Sequence, residues 1–188
     1  MAKLLFIDTE CTGADEKTCS LVEIGAIYID AKTEKRYNSF ISPDPKKSFE
    51  AEALEIMGTT MKELDERGMS QKEGYENFIS FLDSLVSKFD KKDKLIVFAY
   101  NASFDNRWLR QWFEENDNKF FGSYFWNPWI DIMSLAADKV MLDRPQLKDF
   151  KLMTVAKYFG VDVDESKAHG ALYDAEIAMK LYDKIKTK

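Results

Sequence analysis

Leu4-Leu5-Phe6-Ile7-Asp8-Thr9-Glu10-Cys11-Thr12-Gly13 begins as an apolar run and ends in two acids and a turn. Side chains on a strand alternate between faces, so Leu4, Phe6, Asp8 and Glu10 share one side while Leu5, Ile7 and Thr9 share the other. Both sides are apolar until the end, which is the pattern of a central strand covered on both faces. Two carboxylates emerging together at the end of such a strand need cations or well-placed donors, because an isolated buried charge is costly. Asp-x-Glu is a common tripeptide, however, and by itself it reads more simply as an approach to the Gly13 turn.

Further along the chain, Leu21 to Asp30 and Arg36 to Ser42 read as further strands, linked by the short polar turn at Ala31 to Lys35, which predicts an antiparallel meander. A short helix is expected near Ala51 to Met57 and a longer one at Lys72 to Lys88, where Tyr75, Phe78, Ile79, Leu82, Leu85 and Val86 recur at helical spacing. Leu95 to Tyr100 is a continuous apolar run, again a strand buried on both faces. Helices follow near Phe104 to Glu115, Ile130 to Leu142, Leu152 to Phe159 and Ala168 to Lys184. The fold class is α/β, in one domain spanning residues 1–188. Phe120 to Trp129 holds six aromatics broken by Gly122 and Pro128 and takes no regular structure from its pattern.

Three more residues stand out against this frame. Ser103 is placed to cap the helix that carries Asp105, and Asp105 heads the stripe Trp108, Leu109 and Trp112. A first-turn acid is ordinary at a helix N-terminus, but one aligned with the apolar face is harder to explain that way. Asp174 repeats the arrangement ahead of Ile177, Ala178, Leu181 and Ile185, with Glu176, Lys180 and Asp183 pointing elsewhere. His169, the one histidine of the chain, belongs in the loop entering that helix, with Gly170 easing the bend. A lone histidine is more often a surface or core residue than a catalytic one.

The chain has 188 residues, 45% of them hydrophobic, enough to bury a full core. No stretch approaches the roughly eighteen apolar residues of a membrane helix, and the run at Leu4 to Ile7 is too short for a signal peptide, so the expectation is a soluble, cytoplasmic protein. Cys11 and Cys19 are expected as reduced thiols. A formal charge of −6 argues against non-specific coating of nucleic acid. It does not argue against a nuclease, since a carboxylate site becomes electropositive once divalent cations bind.

Taken together, these residues resemble the DEDDh exonuclease superfamily and, within it, the epsilon proofreading subunits. Phe6-Ile7-Asp8-Thr9-Glu10-Cys11-Thr12-Gly13 is similar to the first motif, with Cys11 where many members carry threonine. Glu23-Ile24-Gly25-Ala26 is similar to the strand that follows it. Asn101-Ala102-Ser103-Phe104-Asp105 resembles the second motif, and His169-Gly170-Ala171-Leu172-Tyr173-Asp174-Ala175 the third, at the spacing of the histidine-containing branch. The resemblance spans nearly the whole chain and implies a ribonuclease H-like fold, a five-stranded mixed sheet flanked by helices.

It also implies a mechanism. Asp8 would bridge two Mg2+ (or Mn2+) ions, with Glu10 and Asp174 completing one shell and Asp105 supporting the other. His169 would be the general base, and Cys11, Thr12, Gly13, Asn101 and Phe104 would hold the terminal nucleotide. The expected activity is 3′-5′ exonuclease cleavage of DNA to 5′-mononucleotides. An RNA-trimming enzyme of the ribonuclease T or oligoribonuclease kind, a non-catalytic polymerase-associated module and a small-molecule phosphohydrolase stay open. Polymerase association also stays open, although the chain ends soon after its last helix, where epsilon-like proteins carry a tether. Glu23 is expected to make a structural hydrogen bond. Phe125, Trp126 and Trp129 are read as core cover or an interface rather than as base-stacking residues.

Overall fold

The computed structural model describes residues 2–187. Strands β1 (Lys3–Cys11), β2 (Leu21–Ile29) and β3 (Glu34–Phe40) form the antiparallel meander, and β4 (Leu95–Ala99) and β5 (Ile130–Asp131) join it in parallel. The sheet order is β3-β2-β1-β4-β5, which leaves β1 central as its two apolar faces require. The helices are α1 (Ala51–Met57), α2 (Met61–Arg67), α3 (Gln71–Asp83), α4 (Ala102–Glu115), α5 (Phe121–Tyr124), α6 (Ile132–Lys139), α7 (Leu152–Tyr158) and α8 (Ala171–Thr187). This is the mixed five-stranded sheet flanked by helices that the resemblance implies.

Alternation along β1 divides the helices between two cores. Leu5 and Ile7 pack with Phe78 and Leu82 of α3 and with Trp108, Leu109 and Trp112 of α4. Phe6, on the other face, packs with Ile132 of α6, Val155 of α7 and Ile177, Ala178 and Leu181 of α8. The stripes headed by Asp105 and Asp174 are therefore both buried, but on opposite sides of the sheet.

Several local expectations need correction. The α3 helix stops at Asp83 rather than Lys88, where the Ser84 hydroxyl turns back to donate to the Phe81 carbonyl at 2.7 Å. Leu85 and Val86 are buried all the same, so periodicity reported burial beyond the helix. The α2 helix had an unread signal, Thr60-x-x-Glu63, and these residues form a reciprocal capping box. Ser103 does not cap α4. Its N-cap is Asn101, in a left-handed conformation without a side-chain cap, and Ser103 donates to Asn101 Oδ1 instead. Residues 130–142 hold a two-residue strand before the helix, and the last helix starts at Ala171 rather than Ala168. Within 120–129, α5 forms a single turn, while Phe125 bridges to Leu95 and is buried. Trp129 packs on the core and Trp126 remains exposed beside Lys94.

Candidate active site

The parallel strands β1 and β4 end on the same edge of the sheet, where ligands of α/β sheets characteristically bind. On β1, Asp8 lies opposite Gly25, Thr9 opposite Ile24 and Glu10 opposite Glu23, with a register shift between Glu10 and Cys11. The α4 helix starts from this edge on one face and α8 on the other, so their leading acids flank the end of β1.

Asp105 is 2% exposed, and the Thr9 hydroxyl donates to its Oδ1 at 2.8 Å. Its position depends on Asp131, at the end of β5, which the sequence reading did not single out. Oδ1 of Asp131 accepts the N–H groups of Asn101 (3.0 Å) and Ala102 (3.3 Å) at the start of α4, and of Met133 (3.1 Å) at the start of α6. One carboxylate thus satisfies orphan donors of two helices. An Asp before the apolar residues of α6 is an N-cap signal, but nothing local reveals its second helix.

The first turn of α8 rests directly on β2. A Cβ at Gly25 would lie 2.0 Å from the Leu172 nitrogen and 2.2 Å from the Ala171 carbonyl carbon, so only glycine permits this approach. Glu23, 3% exposed, accepts the Ala171 N–H and a bond from Asn38, the structural bonding expected of it. Asp174 is 8% exposed and accepts the backbone N–H of His169, while its Oδ1 is buried with no partner among the described residues. His169, rather than Gly170, takes the left-handed backbone at φ 65°, and it stands just before α8.

Glu10, His169 and Asp174 each present a ligand atom within 4.8 Å of the others. Asp8 sits among the acids: burial and then Asp105, Glu10, Asp174 and Glu23 push its carboxyl well above the usual range. Burial, with Asp174 and Glu23 as the leading neighbours, raises Glu10 to about 8, against the opposing charge of Arg67. Asp105 and Asp174 are each raised to about 7, mainly by burial. His169 shifts the other way. Partial desolvation and then the charge of Lys151 lower its pKa although the residue is exposed at the surface, so the ring stays neutral more readily than an ordinary histidine.

Crowded carboxylates that cannot all ionise, with an unpartnered buried oxygen among them, fit a hard divalent cation, which takes oxygen ligands. Imidazole beside Glu10 and Asp174 also makes His169 geometrically able to bind a metal.

Beside the acids lies a cleft of about 310 Å³, lined by Thr9, Glu10, Cys11, Gly13, Ala14, Glu50, Glu52, Ala53, Ile56, Met57 and Phe104. Of the residues expected to hold a terminal nucleotide, Cys11, Gly13 and Phe104 line this cleft. Thr12 does not: it is fully buried, its N–H donates to the Ser20 carbonyl and its hydroxyl to the Ser48 carbonyl. Asn101 does not line the cleft either. The contribution of α1 was missed, because Ala53, Ile56 and Met57 look like ordinary helix residues until the helix is docked against β1.

An exonuclease family model matches residues 5–182. The chain is 30% identical over 182 residues to the PolC-type DNA polymerase III of Thermotoga maritima, covering 96% of this chain and 12% of the polymerase. It is 26% identical over 182 residues to ribonuclease T of Shewanella denitrificans, covering 94% of this chain and 76% of that enzyme. Among solved structures, exonuclease I superposes with a TM-score of 0.80 at 20% identity, over all of this chain and 41% of that one. At that identity the superposition speaks to the fold.

Proposed function

The chain belongs to this exonuclease family, and on that premise we propose that it hydrolyses the 3′ end of a nucleic acid, DNA in preference to RNA, releasing 5′-mononucleotides. The observation that carries the reading is the meeting of Glu10, His169 and Asp174 within 4.8 Å, with Asp174 Oδ1 unpartnered. Asp8, Glu10, Asp105 and Asp174 would hold two Mg2+ or Mn2+ ions. Such a pair activates water and stabilises the attacking and leaving oxygens of an in-line displacement.

The protein's own groups do the rest. The cleft between Phe104 and α1 takes the terminal nucleotide, with Ile56 and Met57 offering apolar contact to the base. Thr9 orients Asp105, Asp131 fixes the helix that carries it, and Gly25 and Glu23 seat the helix that carries Asp174. His169, held by the Asp174 carboxylate, accepts the proton of the attacking water on a ring nitrogen. The preference for DNA rests on the third motif, which resembles that of epsilon subunits, and association with a polymerase accords with the PolC-type relatives. A second reading, RNA trimming, is favoured by the match to ribonuclease T, of which this chain covers 76%.

The deciding experiment is digestion of 5′-labelled single-stranded DNA, duplex DNA and RNA with Mg2+. A ladder shortening from the 3′ end, fastest on DNA, is expected, with loss of activity in chelator. Fastest shortening of RNA would transfer the assignment to the second reading, and undiminished cleavage in chelator would remove the metal from the mechanism.

A further inference from the structure

The proposed cleft and His169 lie towards opposite faces of the sheet, and this constrains the path of a bound strand. Cys11 and Phe104 of the cleft belong to the core on the α4 side. Beyond the carboxylates, on the α8 side, runs the segment between α6 and α7, whose Leu147 and Phe150 pack on the other core. A strand with its last nucleotide in the cleft and the adjoining phosphodiester at the acids leaves across this second side.

That segment is basic and anchored. The Tyr100 hydroxyl donates to the Phe150 carbonyl at 2.6 Å, tying residue 150 to the end of β4, and the Arg144 guanidinium lies 4.5 Å above the Phe150 ring. Arg144, Lys148 and Lys151 are exposed, and among the described residues none forms an ion pair. The nearby carboxylate Asp149 feels the charges of Lys148 and Lys151 without forming an ion pair with either. Asp149 accepts the Lys151 N–H at 3.1 Å and a bond from Thr154, while Asp143 accepts the Tyr158 hydroxyl at 2.7 Å. Cations without ion-pair partners on an anchored segment, with the Lys151 charge felt at His169, suit phosphates in a chain of net charge −6.

We propose that Arg144, Lys148 and Lys151 grip the phosphates of the single strand on the 5′ side of the bond being cut. This rests on the exonuclease reading and adds a binding track to it. Phosphate contacts of this kind position the strand without reading its sequence. They therefore matter for substrates long enough to reach them.

The test compares wild type, a Lys148→Glu/Lys151→Glu variant and a Lys91→Glu/Lys92→Glu variant on a dinucleotide and on a single strand of about ten nucleotides. Lys91 and Lys92 lie in the exposed turn before β4, at the other end of the sheet, and carry the same charge change. The first variant should lose about tenfold more kcat/KM on the long strand than on the dinucleotide, with a shallower salt dependence, since each phosphate contact on a single strand contributes a log–log slope of about −0.7. Equal losses on both substrates, an unchanged salt slope, or the same loss from the Lys91/Lys92 variant would overturn the track. Wild type inactive on both substrates would instead remove the exonuclease reading, and the track with it.

Discussion

His169 shows how two roles become coupled at one residue. A left-handed backbone on a non-glycine residue costs about 1–2 kcal/mol, and here the Asp174 carboxylate holds it by accepting the His169 N–H. Asp174→Asn keeps an acceptor for that bond but removes the charge, so it should abolish turnover with the loop in place. Asp174→Ala should also release the loop, seen as faster amide exchange at His169. Replacing His169 by Ala should lower kcat by about a hundred- to ten-thousand-fold, the usual cost of losing a positioned base. Because partial desolvation and Lys151 lower the imidazole pKa, kcat/KM should rise with pH with a midpoint below the ordinary histidine value of about 6.5. A limb clearly above that value would mean the neighbouring carboxylates dominate. Near-normal turnover in His169→Ala would eliminate it as the base.

Elements matter here through their first turns. The α4 helix owes its start to Asp131, which also starts α6. Loss of a cap costs about 0.5–2 kcal/mol, so Asp131→Ala should lower the urea midpoint and depress kcat through Asp105. Asp131→Asn, which keeps an acceptor oxygen, should recover most of both, and an Asn variant as damaged as Ala would show that charge rather than capping is what counts. At the start of α8 the contact is steric. Gly25→Ala drives a methyl into the Leu172 and Ala171 backbone, and overpacking costs about 1–3 kcal/mol even where side chains can yield. A melting temperature within error of wild type would contradict the close approach of α8 to β2.

Across the whole molecule, the clustered acids set the dependence of stability on pH. Folding raises the pKa of Asp8, Glu10, Asp105, Asp174 and Glu23. The folded state therefore holds these protons more tightly than the unfolded chain. That contribution is complete below the ordinary carboxylate range near pH 4 and is lost as pH rises through about 7 to 8. Metal-free protein should melt at a lower temperature at pH 8 than at pH 5.5, and Mg2+ should reverse the trend by binding the ionised cluster. Asp105→Asn should raise the metal-free melting temperature at pH 8 by relieving repulsion. A metal-free protein whose stability climbs steadily to pH 8 would show that the acids are not crowded in solution as they are here.

Local patterns predicted the meander, the double-sided β1 and the apolar stripes under Asp105 and Asp174, each written in alternation or helical spacing within one segment and enforced by burial. The proposed chemical roles of Asp8, Glu10, Asp105, His169 and Asp174 came instead from the resemblance of three motifs. Tertiary structure alone decided that the two stripes pack on opposite faces, that Asp131 starts two helices, that Gly25 admits α8, and that α1 walls the cleft while Thr12 turns away from it. These are contacts between segments far apart in the chain, and their distances depend on how helices dock on the sheet. No short window of residues carries that information, because a side chain's partner across an interface leaves no trace in its own neighbours.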